Sequence, residues 1–89
     1  MNITEARTLI VASIDAVTVS LDLREFVPSL DDPNCDVSFK ALGIDSLYAE
    51  ELCLELHERC GLHMDVDQLL QHRTINRLAA YVAEASRPE

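Results

Sequence analysis

The stretch from Gly43 to Gly61 reads GIDSLYAEELCLELHERCG and contains the only two glycines of the 89-residue chain. Its apolar side chains recur every three to four residues, which predicts an amphipathic helix. Asp45 and Ser46 are both residue types favoured at a helix N-cap, so the helix is predicted to begin at one of them. Gly61 suits the left-handed residue that commonly follows the last helical turn. The stretch therefore predicts one long helix framed by the two glycines.

The two sides of this helix carry different residues. At about 100° per residue, one side forms an apolar stripe that is predicted to face a core, made of Ala49, Leu52, Cys53, Leu56 and Cys60. The opposite side carries Leu47, Glu51, Leu54 and Glu58. Two leucines among glutamates are typical of an interface with apolar anchors inside a charged rim. The alternative is an ordinary solvated helix surface, partly covered by the rest of the chain.

Length and charge restrict the class of protein. Eighty-nine residues, 48% of them hydrophobic, predict one folded domain over 1–89, with a core at about 3–83 and a frayed tail at 84–89. The formal net charge of −9 argues against nucleic acid as a partner, because phosphates require Lys and Arg. It also argues against an anionic membrane surface and favours basic protein surfaces. We expect a monomer.

The cysteines indicate a reducing environment. Cys35, Cys53 and Cys60 are odd in number and have no spacing typical of a zinc site or of a disulfide framework. Two of them fall on the predicted core stripe, where a free cysteine behaves as a small apolar residue. The N-terminus lacks a signal-peptide pattern, and no apolar run reaches membrane-spanning length. A cytoplasmic location is therefore expected.

Three further helices are predicted on either side of the central one. Asn2 and Glu5 have capping-box spacing before a helix from residue 3 or 4 to about 17. Asp65 and Gln68 repeat that spacing before a short helix at 66–71, which would bury Leu69 or Leu70. Thr74 is predicted to cap the last helix. The inward faces of the first and last helices are predicted to be Ile3, Ala6, Ile10, Ile14 and Val17, and Ile75, Leu78, Ala79 and Val82, with Tyr81 at the edge.

Residues 20–42 form a long first connection. Pro28 and Pro33 are predicted to break any helix through it, and residues 21–26 could form one helical turn. Its apolar residues make it an unlikely free linker, so it should lie over the bundle with Val37, Phe39 and Leu42 beside the central helix. The predicted fold class is all-α: a small four-helix bundle of three main helices and a short third helix, with a long first loop.

Ser46 is the most distinctive candidate for a functional residue. Its ordinary interpretation is a helix cap. However, Asp45 could cap the helix by itself, and a cap does not require the glycine at position 43. A helix N-terminus also favours an attached phosphate group through its free N–H groups and its dipole.

A catalytic role for Ser46 finds little support. A nucleophilic serine needs a nearby base, and His57 lies about three turns further along the same helix. His63 and His72 fall in loops of undetermined position, and no Gly-x-Ser-x-Gly elbow is present. The three histidines have no metal-ligand spacing, so solvated surface histidines are the better interpretation.

The segment Leu42-Gly43-Ile44-Asp45-Ser46-Leu47 resembles the modification motif of the acyl and peptidyl carrier protein family, in which the serine after Asp carries 4′-phosphopantetheine. The resemblance extends from about residue 37 to 82, and more loosely to the first helix. It implies a four-helix bundle, with Ser46 as the covalent attachment point and Asp45 and Leu47 flanking it. The implied partner-binding surface consists of Leu47, Glu51, Leu54, Glu55, Glu58 and Met64.

The resemblance also implies partners and a role. The partners would be a phosphopantetheinyl transferase, an acyl- or aminoacyl-loading enzyme and downstream synthase or transferase domains, and the chain itself would catalyse nothing. His72 and Thr74 match a segment common in polyketide and nonribosomal peptide carriers, whereas Tyr48 departs from fatty-acid carriers. The alternatives are a fatty-acid-synthesis carrier and an unmodified acidic adaptor that only binds proteins.

Overall fold

The computed structural model describes residues 1–18 and 23–85, which form an all-α bundle. The helices are α1 (Ile3–Val17), α2 (Val27–Asp31), α3 (Ser46–Cys60), α4 (Val66–Gln71) and α5 (Ile75–Ala85), with a 3-10 turn at Arg24–Phe26 before α2. α1 packs against α3 and α5, and α4 packs against α3. The four predicted helices are α1, α3, α4 and α5, so the predicted fold class is confirmed. None of the helices in the described ranges is long and apolar enough to cross a membrane.

The helix starts follow the predicted capping chemistry. Asn2 Oδ1 accepts from the Glu5 amide at 2.8 Å, and the Glu5 side chain accepts from the Asn2 amide at 3.1 Å. Asp65 and Gln68 form the same reciprocal pair at 2.8 and 3.1 Å. The Thr74 hydroxyl accepts from a first-turn amide of α5 at 3.2 Å. Each of these side chains satisfies a backbone donor that would otherwise lack a partner.

One apolar core joins the helices to the long connection. Leu69 is the buried leucine of α4, and Leu70 is half-buried. Of the two cysteines predicted to face inward, Cys53 is buried, but Cys60 is only partly buried and its thiol donates to the Leu56 carbonyl at 3.1 Å. The core consists of Ala6, Ile10, Ile14, Leu30, Val37, Phe39, Leu42, Ile44, Ala49, Leu52, Cys53, Leu56, Leu69, Ile75, Leu78, Ala79 and Val82.

Pro28 does not break a helix, contrary to the sequence prediction. It lies in the first turn of α2, where its missing N–H would have no intrahelical partner and its fixed φ suits the helix. Part of the predicted turn at 21–26 lies outside the described residues. Its described part is the 3-10 turn at Arg24–Phe26.

Two predictions concern the ends of the chain. Ile3 was placed with the apolar face of α1 but is 55% exposed. It is the first residue of α1 and lines an open depression with Ala80 and Ala83 of α5. α5 ends at Ala85, and a frayed tail at 84–89 stays a prediction. Residues 86–89 lie outside the described residues.

A buried arginine, which the sequence analysis did not single out, holds the long connection. Arg7 on α1 is 5% exposed, and its guanidinium donates to the carbonyls of Ser29, Leu30 and Cys35. Its Nε donates to Asn76 Oδ1 on α5 at 2.8 Å. One side chain therefore joins α1, the C-terminal end of α2, the following loop and α5.

The end of the connection is tied to the start of α5. The Phe39 amide donates to the Arg73 carbonyl and the Ile75 amide to the Val37 carbonyl, both at 2.9 Å. These bonds form an isolated antiparallel bridge between Ser38 and Thr74. The predicted burial of Val37, Phe39 and Leu42 is confirmed, and the segment that leads into α3 is fixed against the bundle.

Candidate functional site

The turn before α3 explains the glycine at position 43. Gly43 has φ of +78°, a left-handed conformation that side chains with a Cβ adopt only at a cost. Within this turn the Gly43 amide donates to the Lys40 carbonyl at 3.1 Å and the Ile44 amide to the Phe39 carbonyl at 2.9 Å. Leu42 and Ile44 are buried on either side. The turn is therefore anchored at both sides of the glycine and delivers residue 45 to the helix start.

Asp45, and not Ser46, caps α3. Its Oδ1 accepts from the amides of Leu47 at 3.0 Å and Tyr48 at 3.2 Å. Ser46 is the first residue of α3 and is exposed. Among the described residues, none forms a hydrogen bond with its hydroxyl. Ser46 therefore does not cap the helix, which is the usual role of a serine at a helix start.

The same cap corrects one expectation about the helix N-terminus. The sequence analysis assigned the free N–H groups of the first turn to an attached phosphate, but Asp45 occupies those of Leu47 and Tyr48. The Ala49 amide donates to the Asp45 carbonyl at 2.9 Å. Within the described residues, the Ser46 amide has no acceptor, and it and the helix dipole can still attract a phosphate on Ser46, whereas the Asp45 carboxylate adds a nearby negative charge.

An open depression of about 600 Å³ adjoins the start of α3. The turn before the helix forms one side of it, with Gly43, Ile44 and Asp45. The remaining lining residues are Ser38, Phe39, Lys40, Leu70 and Arg73. Lys40 and Arg73 are exposed and, within the described part of the chain, neither side chain forms an ion pair or a hydrogen bond. The depression therefore combines apolar side chains with two unpaired positive charges.

The sequence analysis missed both cations, although each leaves a signal. Lys40 is the only lysine in a chain of net charge −9. Arg73 lies between His72 and Thr74, two of the residues that carry the family resemblance, and it has φ of +61°, unusual for a residue with a side chain. Their convergence depends on the bridge between residues 38 and 74, which no local pattern predicts.

The histidines do not assemble with Ser46. The rings of His57 and His63 lie 4.1 Å apart, so His63 accompanies His57, which is about 16 Å along α3 from Ser46 at 1.5 Å per residue. His72 packs against Tyr81 of α5 at 4.6 Å. No group of three His, Cys, Asp or Glu residues in the described ranges could hold a metal ion.

The outward face of α3 has the predicted composition. Leu47 and Leu54 are 64% and 62% exposed, and both are among the large apolar side chains most exposed in the described residues. Glu51 and Glu58 are also exposed. The two leucines are seven residues apart, so they lie on one side of the helix about two turns from each other.

The other two residues assigned to this surface are less exposed. Glu55 is partly buried and accepts from Arg59 Nε at 2.8 Å in an ion pair one helical turn long. Met64 is half-buried against the edge of the core. Of the predicted surface, Leu47, Glu51, Leu54 and Glu58 are thus the most accessible side chains.

The sequence was compared with protein-family models, with known proteins and with solved structures. The family model described as "phosphopantetheine attachment site" matches residues 23–82. The 3-methylorcinaldehyde synthase tropA of Talaromyces stipitatus is 36% identical over 83 residues, which cover 88% of this chain but 3% of that synthase. No solved structure gives a significant match. The chain belongs to the phosphopantetheine-attachment family of carrier domains, which bear this group covalently.

Proposed function

We propose that this protein carries acyl or aminoacyl intermediates as thioesters on a 4′-phosphopantetheine arm attached to Ser46. The observation that carries the proposal is the exposed Ser46 hydroxyl at the first position of α3, left without a structural task by the Asp45 cap. The unpaired cations Lys40 and Arg73 line the depression that also contains the preceding residue, Asp45, and they fit the chemistry of a phosphodiester.

The attachment needs an enzyme that this chain does not supply. The Ser46 oxygen would form a new bond to the β-phosphorus of coenzyme A, and the bond from that phosphorus to the nucleotide portion would break. Because His57, His63 and His72 lie away from Ser46 and the Asp45 carboxylate is engaged in capping α3, the phosphopantetheinyl transferase would supply the group that accepts the hydroxyl proton. When bound, the arm supplies the terminal thiol that holds the cargo.

The partner enzymes would bind the outward face of α3. Leu47 and Leu54 offer apolar anchors, and Glu51 and Glu58 offer negative charge to basic partner surfaces. Leu47 follows Ser46 directly, so any enzyme that handles the arm must pass close to it. Glu55 and Met64 would form the edge of the same surface. The partners are the transferase, a loading enzyme and downstream synthase or transferase domains.

A role in polyketide or nonribosomal peptide biosynthesis is the finer proposal. It is supported by His72 and Thr74, by Tyr48, and by the similarity to a 3-methylorcinaldehyde synthase. The chain corresponds to a small share of that synthase, so the activity of that enzyme is not transferred to it. A fatty-acid-synthesis carrier is the alternative within the same family.

We further propose a monomer in a reducing cytoplasm. The three cysteines are free thiols, which suits that environment. A membrane or a nucleic acid as a partner is disfavoured by the net charge of −9.

One experiment separates a carrier from an unmodified adaptor. The protein is co-expressed with a broad-specificity phosphopantetheinyl transferase and weighed intact, together with Ser46→Ala and, as the control, Ser29→Ala. A carrier gains the mass of one phosphopantetheinyl group in the wild type and in Ser29→Ala but not in Ser46→Ala. An adaptor gains no mass in any of the three proteins, which would refute the proposal.

A further inference from the structure

The depression beside Ser46 collects positive charge in a strongly acidic protein. The chain has 16 Asp and Glu residues and 7 Lys and Arg residues. Arg7 is buried among carbonyls and Arg59 is paired with Glu55. Lys40 and Arg73 have no such partner among the described residues, yet both line the depression that includes Asp45. Two unpaired cations on one depression of an acidic surface indicate an anionic occupant.

The backbone of Arg73 is held in an unfavourable conformation at this place. A left-handed φ of +61° costs about 1 kcal/mol or more for a residue with a Cβ, and such residues concentrate at functional sites. The conformation is maintained because the Arg73 carbonyl accepts from the Phe39 amide and its amide donates to the Leu70 carbonyl at 3.2 Å. These bonds hold the Arg73 side chain at the wall of the depression rather than on the outer surface of α5.

The rest of the lining is apolar. Phe39, Ile44 and Leu70 contribute carbon surface between the two cations and the start of α3. An occupant that fits this lining carries a negative charge next to a compact apolar portion. The pantetheine arm has that order, with a phosphodiester at its attachment point followed by a gem-dimethyl group.

We propose that the depression is the docking site for the proximal, phosphate-bearing half of the arm, and that Arg73 and Lys40 are the side chains that hold its phosphodiester. This inference rests on the proposed attachment to Ser46. The two cations would offset the repulsion between the phosphodiester and the Asp45 carboxylate, which has already taken the amides of Leu47 and Tyr48. Ile44 and Leu70 would contact the gem-dimethyl portion. Arg73 and Lys40 thus act as positioning residues for the arm.

The test measures docking in the modified protein by NMR. Amide shifts are compared between the unmodified and modified forms, and the ³¹P shift of the modified form is compared between folded and urea-unfolded protein. The variants are Arg73→Gln, Lys40→Gln, the double variant and Arg73→Lys. Arg77→Gln is the matched control, because Arg77 is an exposed arginine four residues away that does not line the depression. Each variant is first weighed to establish that it is fully modified, and its thermal unfolding is recorded.

In the wild type, modification should shift the amides of Ile44, Leu70 and Arg73. Each glutamine substitution should lower the ratio of docked to free arm about two- to fivefold, the range for one exposed ion pair. The amide shift differences and the folded-minus-unfolded ³¹P difference should then fall with the docked fraction of the arm, and most in the double variant. Arg73→Lys should retain most of the docking, and Arg77→Gln should match the wild type.

Two results would overturn the inference, and they are distinguishable from a failure of the proposed function. A fully modified wild type in which only amides adjoining Ser46 shift would show that the arm does not dock there. Equal shifts in Arg73→Gln, Lys40→Gln and Arg77→Gln would show that the two cations do not hold it. Absence of any mass gain would instead refute the attachment itself.

Discussion

At the scale of single residues, Asp45 rather than Ser46 caps α3. Asp45 satisfies the first-turn amides of α3, and the Ser46 hydroxyl stays exposed. Gly43 supplies the left-handed turn that brings both residues to the helix start. The segment Gly43-Ile44-Asp45-Ser46 thus contains a turn residue, a helix cap and an exposed hydroxyl.

The first prediction concerns the cap. Asp45→Ala should lower the free energy of unfolding by about 0.5–2 kcal/mol, because two amides lose their acceptor. In a domain of this size a loss of 1 kcal/mol lowers Tm by about 4–8 °C. Thermal unfolding followed by circular dichroism measures the effect, with Asp45→Asn as the conservative variant that retains the cap. An unchanged Tm in Asp45→Ala would show that Ser46 takes over the cap.

The second prediction concerns Cys53. Burial, followed by the negative charges of Asp65 and Glu50, raises the pKa of the Cys53 thiol above its ordinary value. Its thiolate is therefore scarce at neutral pH, and alkylation should be slower at Cys53 than at the partly exposed Cys60. Since the folded pKa is raised, its contribution to stability is present at neutral pH and is lost as the pH rises past the ordinary thiol range.

Mass-resolved alkylation over time checks this ordering. The slow site should disappear in Cys53→Ser. In the wild type, the alkylation rate of Cys53 should still increase with pH where the rate of an exposed cysteine has levelled off, because the pKa of Cys53 is raised. Rapid labelling of Cys53 at neutral pH would mean that the register of α3 in solution differs from the one described.

At the scale of elements, the long connection is held in place by one buried guanidinium. Arg7 joins α1 to the carbonyls of Ser29, Leu30 and Cys35 and to Asn76 of α5. The backbone N–H of Asn76 donates to Asp36 Oδ1 at 3.0 Å. The connection is thus ordered by polar contacts at its centre and by apolar burial of Val37 and Phe39 at its end.

The third prediction follows from that arrangement. Arg7→Met should cost about 2–4 kcal/mol, because several buried carbonyls lose a charged donor and the individual contributions do not add fully. Arg7→Lys should recover little of the lost stability, because a single ammonium group cannot donate to all four acceptors as the planar guanidinium does. Urea unfolding measures both, and Arg77→Met on the exposed side of α5 should stay within about 0.5 kcal/mol of the wild type. An Arg7→Met protein as stable as Arg7 wild type would contradict the assignment.

The fourth prediction compares a leucine on the buried face of α3 with one on its exposed face. Leu52 is fully buried, so Leu52→Ala should cost about 2–5 kcal/mol of stability. Leu54 is 62% exposed, so Leu54→Ala should change stability by less than about 0.5 kcal/mol. If Leu54 anchors a partner, the same substitution should weaken binding by about 1–2 kcal/mol, mainly through faster dissociation and with little dependence on salt.

Charge reversal on the same face should have a different kinetic signature. Glu58→Lys should mainly slow association with the loading enzyme, and added salt should shrink the effect. Surface plasmon resonance separates the two rates for each variant. If Leu54→Ala leaves both rates unchanged, this face of α3 is not the partner-binding surface.

At the scale of the whole molecule, the parts that could be predicted are those encoded locally. Helical periodicity and capping residues placed α1, α3, α4 and the start of α5 within about a residue, because these signals act over three or four positions. The placement of Leu54 on the outward face of α3 followed from the same periodicity. The helix α2 was not predicted, for two reasons. Pro28 was taken as a helix breaker although a proline is tolerated in a first turn, and a five-residue segment is too short to show helical periodicity.

The parts that could not be predicted depend on contacts distant in sequence. No local pattern indicates that Arg7 is buried. Its hydrogen-bond acceptors come from residues 29–35 and from Asn76, which are distant in sequence and pack against α1 only in the folded bundle. Lys40 and Arg73 converge through the bridge between Ser38 and Thr74. The candidate site was therefore predictable at Ser46 itself and not in the depression beside it.

The central claim is that Ser46 is the residue that carries the arm. The most direct test is tandem mass spectrometry of the protein modified by a phosphopantetheinyl transferase, with fragment ions that locate the added group. The expected result is the full added mass on Ser46 and none on Ser29, Ser38 or any other hydroxyl. Location of the group on a different residue, or a modified Ser46→Ala protein, would contradict the claim.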